Sequence, residues 1–208
     1  MKIAVEGQMG YTGQDVEKVL REAWADHPLR HETVDSQLED VSLTLAAADN
    51  TIAQWSEYPT VRILVDCGDP EVAERLRTTL YHELTHIIDR HNPRFMGDRS
   101  PQDLSGEMDE LFATDQFLAH TVVAYWNMYI DGRLSRYAKN PYTLDERVAE
   151  FFGTRPLSDA RPGEMEALRG IWPAEELSFD DVLCLAREFP KPKTQVEWIR
   201  QYYGRNAG

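Results

Sequence analysis

Cysteine is scarce in this chain of 208 residues, which holds only Cys67 and Cys184. Two thiols without CxxC spacing exclude a disulfide scaffold and favour a reduced setting, with both expected as small buried hydrophobes. Basic charge is scarce as well. Lys and Arg total 22 against 36 Asp and Glu, a formal net charge of −14. Binding to phosphate backbones or anionic lipid relies on neutralising them with Lys and Arg, so neither nucleic acid nor a membrane is an expected partner. No apolar run approaches the roughly 18 residues of a membrane span. The opening MKIAVEGQMG reaches Glu6 without the apolar stretch of a secretory signal, and a cytoplasmic location is expected. Internal repeats, low-complexity tracts and linkers are also missing.

What is present suffices for a core. Apolar residues make up 42% and charged residues 28%, which argues against disorder and coiled coil. The length suits one domain over 1–208, divided into an N-terminal sheet-and-helix part (1–67), metal-site helices (68–153) and C-terminal helices (154–208).

Hydrophobic periodicity places the elements. KIAV at the start reads as a strand, and Gln14–Ala25 as a helix carrying Val16, Val19, Leu20 and Trp24. Residues 38–55 fit either an amphipathic helix or an alternating strand, and strand is the preferred reading. Thr60–Cys67 (TVRILVDC) is β-branched and apolar, the clearest strand signal. Asp69, Pro70 and Glu71 then open a helix in the order cap, first position and first-turn acid, and Asn92-Pro93 closes it. Further helices are expected over about 107–129, from Thr143 to Phe152, over Ser178–Glu188 with a Ser178/Asp181 cap, and over Thr194–Tyr203. The expected fold class is α+β, mostly helical.

Inside the capped helix stands His82-Glu83-Leu84-Thr85-His86, an HExxH sequence. Positions i and i+4 share one helix face, so two imidazoles can reach one Zn²⁺ while Glu83 serves as general base toward a Zn-activated water. A catalytic zinc needs a third protein ligand. The metzincin extension would need Gly at 89 and His at 92, where Asp89 and Asn92 stand, and His91 misses that register by one. Downstream, Glu146-Arg147-Val148-Ala149-Glu150 sets two acids at i and i+4, with small Ala149 between them to admit a close helix neighbour. Glu146 is the leading third ligand by this pattern. Glu110 (in Glu110-Leu111-Phe112-Ala113), Glu107 and Asp89 are the alternatives.

HExxH followed by a helix reading Asp145-Glu146-Arg147-Val148-Ala149-Glu150-Phe151-Phe152 resembles the gluzincin zinc metallopeptidases, most nearly the lethal-factor-like kind. The resemblance covers about a fifth of the chain. It implies a zincin-like domain with a small sheet preceding the active-site helix. It also implies a zinc site of His82, His86 and Glu146, with Glu83 as the base and Glu150 supporting from behind. VSLTL and TVRILVD would then supply the sheet edge to which a peptide or protein substrate adds as a strand. Donors for a developing oxyanion are sought at Tyr142, Tyr137 and His91.

Two other readings compete. A zincin-fold scaffold with structural zinc, or none, would not need Glu83 between the histidines. Gly7, Gly10 and Gly13, after KIAV and before a helix, resemble the phosphate-cradling turn of dinucleotide-binding reductases, hence an NAD(P)-binding alternative. Glu6 beside the pyrophosphate position and the lack of later alternating strands favour a plain turn. His27, His31 and His120 show no metal-like spacing, and Tyr125, Trp126 and Tyr129 read as core. The substrate and the oligomeric state have no sequence signal.

Overall fold

The computed structural model describes the backbone of residues 2–5, 16–32, 42–48, 52–57, 60–66, 70–152 and 162–188, with side chains over 17–32, 75–151 and 165–188. Four strands are traced in backbone: β1 (Lys2–Val5), β2 (Ser42–Ala48), β3 (Ile52–Glu57) and β4 (Thr60–Asp66). Their order is β1-β2-β4-β3. β2 runs parallel to β1 and β4, with Leu43 opposite Ile3 and Val61, and β3 is antiparallel to β4.

The expected α+β, zincin-like class with a small sheet ahead of the motif is corrected at the level of packing. Helix accounts for 79% of the residues whose side chains are described, and no strand falls among them. Packing among described side chains is therefore helix on helix, and the substrate-lining strand edge falls away as an expectation. The physical reason lies in the pattern: beyond residue 70 apolar residues recur at three and four, and helix-capping residues replace strand alternation.

The chain divides into two compact units, one of Met1–Gly106 with Tyr137–Pro141 and one of Glu107–Arg136 with Tyr142–Gly208. In the first, α1 (Val16–Ala25) buries Leu20 and Ala23, and a short 3-10 turn follows at Arg30–Glu32. The long helix α2 (Pro70–His91) buries the stripe Leu76, Leu80, Leu84, Ile87 and Ile88. Asn92 stops it and caps the short α3 (Pro93–Met96), its side chain accepting from the Arg94 N–H at 3.0 Å.

Where one long helix is expected over about 107–129, two are found: α4 (Pro101–Thr114) and α5 (Gln116–Ser135). Asp115 makes the break, because its carboxylate accepts the Leu118 N–H at 3.1 Å as an N-cap. In the second unit α5 is the centre. It is apolar nearly all round, and Val122, Tyr125, Trp126, Tyr129, Ile130 and Leu134 are all buried. Against it pack α6 (Leu144–Phe152), α7 (Pro162–Ile171) and α8 (Phe179–Glu188), with Phe151 beside Tyr125 and Phe179 edge-on to Trp126. Gly132 permits the approach of the turn after α7, since a Cβ there would lie 2.0 Å from the Trp172 carbonyl oxygen.

Three helices begin with the same reciprocal cap. Ser100 with Asp103, Thr143 with Glu146 and Ser178 with Asp181 each exchange side-chain-to-backbone hydrogen bonds at the starts of α4, α6 and α8. Cys184 is exposed, contrary to the expectation of a buried thiol. Cys67, the Gly7–Gly13 turn and Thr194–Tyr203 lie outside the described residues. Among the described residues no helix is long and apolar enough to cross a membrane.

Candidate metal site

HExxH lies in the interior of the 22-residue helix α2, whose expected cap Asp69 is outside the described residues. At about 100° per residue, His82 and His86 share one face, and Leu80, Leu84 and Ile87 hold the opposite face in the core. His82 is 3% exposed and His86 half-buried. Their rings meet edge to face, with centroids 5.1 Å apart and planes at 78°. A tetrahedral zinc with Zn–N bonds of about 2.0–2.1 Å separates two imidazole centroids by about 5 Å. Two imidazole rings at this spacing suit zinc. Glu83, buried at 7% exposure, stands next to His82 on the flank of the core stripe.

Asp89 follows on the same face as the two histidines and is fully buried. His91 ends the helix buried, its Nδ1–H donating to the Ile87 carbonyl at 2.8 Å. Burial holds the His91 imidazole below the ordinary histidine range, with help from the Arg90 charge, although the Ile87 bond opposes the shift.

The residue ahead of His82 is fixed at both ends. Its carbonyl accepts His27 Nε2–H at 2.9 Å and the Thr85 hydroxyl at 2.8 Å. The Leu29 N–H donates to His27 Nδ1 at 3.2 Å, so the ring is neutral with its proton on Nε2. At the other end the Tyr81 hydroxyl donates to Asp26 at 2.7 Å and accepts from Lys139 at 3.0 Å and Arg77 at 3.1 Å. Slight burial opposes the charges of Asp26 and Lys139. Their hydrogen bonds and mutual attraction outweigh it, lowering the one pKa and raising the other.

Of the remaining sequence candidates, Tyr137 belongs to the first unit and Glu107, Glu110, Tyr142, Glu146 and Glu150 to the second. Glu110 is exposed and Glu107 half-buried on α4. The exposed Glu146 carboxylate accepts the Thr143 N–H at 2.6 Å and its hydroxyl at 2.9 Å, as Asp103 and Asp181 do at their own helices. Glu150 pairs with Arg147 at 2.6 Å. Ala149, expected at a close helix approach, is exposed, and the buried positions are Arg147 and Val148. Tyr137 is 49% exposed, and Tyr142 lies under the Arg147 guanidinium at 4.2 Å. Among the described residues no group of three or more His, Cys, Asp or Glu side chains is gathered as a metal site. The two imidazole rings therefore stand at a separation compatible with one shared ion, and no third donor is gathered beside them among the described residues.

Sequence reasoning missed Asp131. It is fully buried in α5 and bonded to Arg147 Nε at 2.5 Å. The only advance signal was an Asp inside an otherwise apolar helical run, which needs a cation once buried.

No protein-family model, no curated protein and no solved structure matches the chain.

Proposed function

We propose that the chain is a zinc-dependent peptidase of the gluzincin kind that hydrolyses peptide bonds. The observation supporting this is the edge-to-face His82–His86 pair, with centroids 5.1 Å apart on one helix and Glu83 between them in sequence. In this reading His82 and His86 hold the metal through ring nitrogens. A bound zinc supplies Lewis acidity, polarising a carbonyl and lowering the pKa of water. Glu83 takes the proton from the attacking water at its carboxylate and passes it to the departing amine. Glu83 is 7% exposed, so its side chain is largely shielded from bulk solvent. Glu146 is retained as the sequence's candidate for the third donor. Its substrate is a peptide or protein, and the acidic surface favours basic peptides by steering.

The test is hydrolysis of a mixed peptide library by zinc-loaded protein, read by mass spectrometry. Cleavage that vanishes in Glu83→Gln while zinc remains bound supports the reading. Zinc bound without cleavage of any peptide points instead to a binding or scaffold role.

A further inference from the structure

We propose that Tyr81, clamped by Asp26 and Lys139, is a positioning residue for the His82–His86 pair; the inference rests on the zinc reading above. Tyr81 immediately precedes His82, and Tyr81 and Thr85 form the stripe adjoining the one that carries the two histidines. A helix turns as a rigid rod, so fixing one stripe fixes the direction of its neighbour. Side-chain atoms lie about 5–6 Å from the helix axis, and a rotation of about 10° moves them by about 1 Å. Metal–ligand distances tolerate only about 0.2 Å. The apolar stripe of α2 sets which face of the helix meets the core. Hydrogen bonds with fixed partners add a finer directional restraint.

The clamp has the construction this role needs. The Tyr81 ring is 2% exposed, and its hydroxyl uses one donor and two acceptor positions on Asp26, Lys139 and Arg77. Lys139 comes from the distant segment Tyr137–Pro141. It also donates to the Asp26 backbone carbonyl at 3.0 Å, just past the end of α1. Arg75 donates to the Pro141 carbonyl at 3.4 Å, a second tie between that segment and α2. The opposite end of Tyr81 is held by His27, whose ring lies edge-on to it at 5.5 Å. Contacts from the turn after α1, from Arg77 on α2 and from a remote segment thus converge on the residue before the first histidine. Groups hydrogen-bonded directly to metal ligands are worth roughly 10–100-fold in metal affinity; the Tyr81 clamp acts one residue further along the helix, and the lower end of that range is expected for it.

The test is zinc affinity by chelator competition, with the Co²⁺ visible spectrum as a report of ligand geometry. Full-length wild type is compared with Tyr81→Phe, Lys139→Met, Lys139→Arg and His86→Ala, each checked for folding by circular dichroism. Tyr81→Phe removes one oxygen and leaves the ring in place, which makes it the mildest variant. The expected result is zinc affinity weakened about 10-fold or more in Tyr81→Phe and Lys139→Met, with an altered Co²⁺ spectrum and substantial recovery in Lys139→Arg. Wild-type binding matched by Tyr81→Phe and Lys139→Met, with unchanged Co²⁺ spectra, overturns the positioning role and leaves the zinc reading standing. Weaker binding with an unchanged Co²⁺ spectrum and no recovery in Lys139→Arg reads as general destabilisation and also overturns it. Wild type that takes up no zinc overturns both.

Discussion

His82 and His86 meet edge to face at 5.1 Å, one helical turn apart on α2. The contact follows from sequence spacing alone, and it places two imidazoles at the separation that a tetrahedral ion demands. What surrounds the pair comes from tertiary structure, and the predictions below separate the two contributions.

Glu146 carries two assignments that one substitution distinguishes. Gln serves at the third position of a capping box as well as Glu does, but it offers no anionic ligand. Glu146→Gln is expected to leave the unfolding midpoint nearly unchanged and to lose bound zinc if Glu146 is the third donor. Zinc retained in Glu146→Gln removes it from the ligand set, and attention then passes to Asp89, Glu107 and Glu110.

Asp131 and Arg147 form an ion pair at 0% and 6% side-chain exposure. Removing one partner strands the other charge in the core. Asp131→Ala and Arg147→Met are each expected to cost about 3–5 kcal/mol by urea denaturation. The double variant should cost less than the sum, because neither charge is then left alone.

Two helical glycines behave oppositely. A Cβ at Gly132 meets the Trp172 backbone, so Gly132→Ala is expected to destabilise by about 3 kcal/mol or more. Gly106, inside α4, has nothing within 4 Å of an added Cβ, and Gly106→Ala is expected to stabilise by up to about 1 kcal/mol. Thermal melts of the two variants check both signs.

Acid weakens the fold through two histidines. Burial lowers the pKa of His91 and of His120, so both favour the neutral form when folded. A depressed histidine contributes stability that is fully present above its unfolded value of about 6.5 and is lost as pH falls below it toward the folded value. Urea midpoints should therefore fall from pH 7.5 to pH 5.5, and less so in His120→Gln. An unchanged slope in that variant would remove His120, which packs on Phe112 at 5.3 Å, as a contributor.

Local signals were legible in the sequence. HExxH inside α2, the Asn92-Pro93 stop and the Ser178/Asp181 cap all depend on residues within a turn or two of one another. The break at Asp115 was equally local, yet the helical period running across it concealed the cap. Partner choice was not legible. Nothing in the order of residues tells Arg147 to pair with Asp131, or Lys139 to reach Tyr81, because those contacts join elements far apart in the chain. The acidic i, i+4 pair of Glu146 and Glu150 is plain in the sequence, but the engagement of its carboxylates by Thr143 and Arg147 is not. The sheet expected to line the cleft rested on resemblance, and the described packing is helical.

The central claim is that His82 and His86 hold zinc. Elemental analysis of wild type, His82→Ala and His86→Ala, purified without added metal and again after zinc addition, tests it most directly. The account predicts about one zinc per wild-type chain and its loss in both variants. No zinc in wild type before or after addition, or the same zinc in all three proteins, would contradict it.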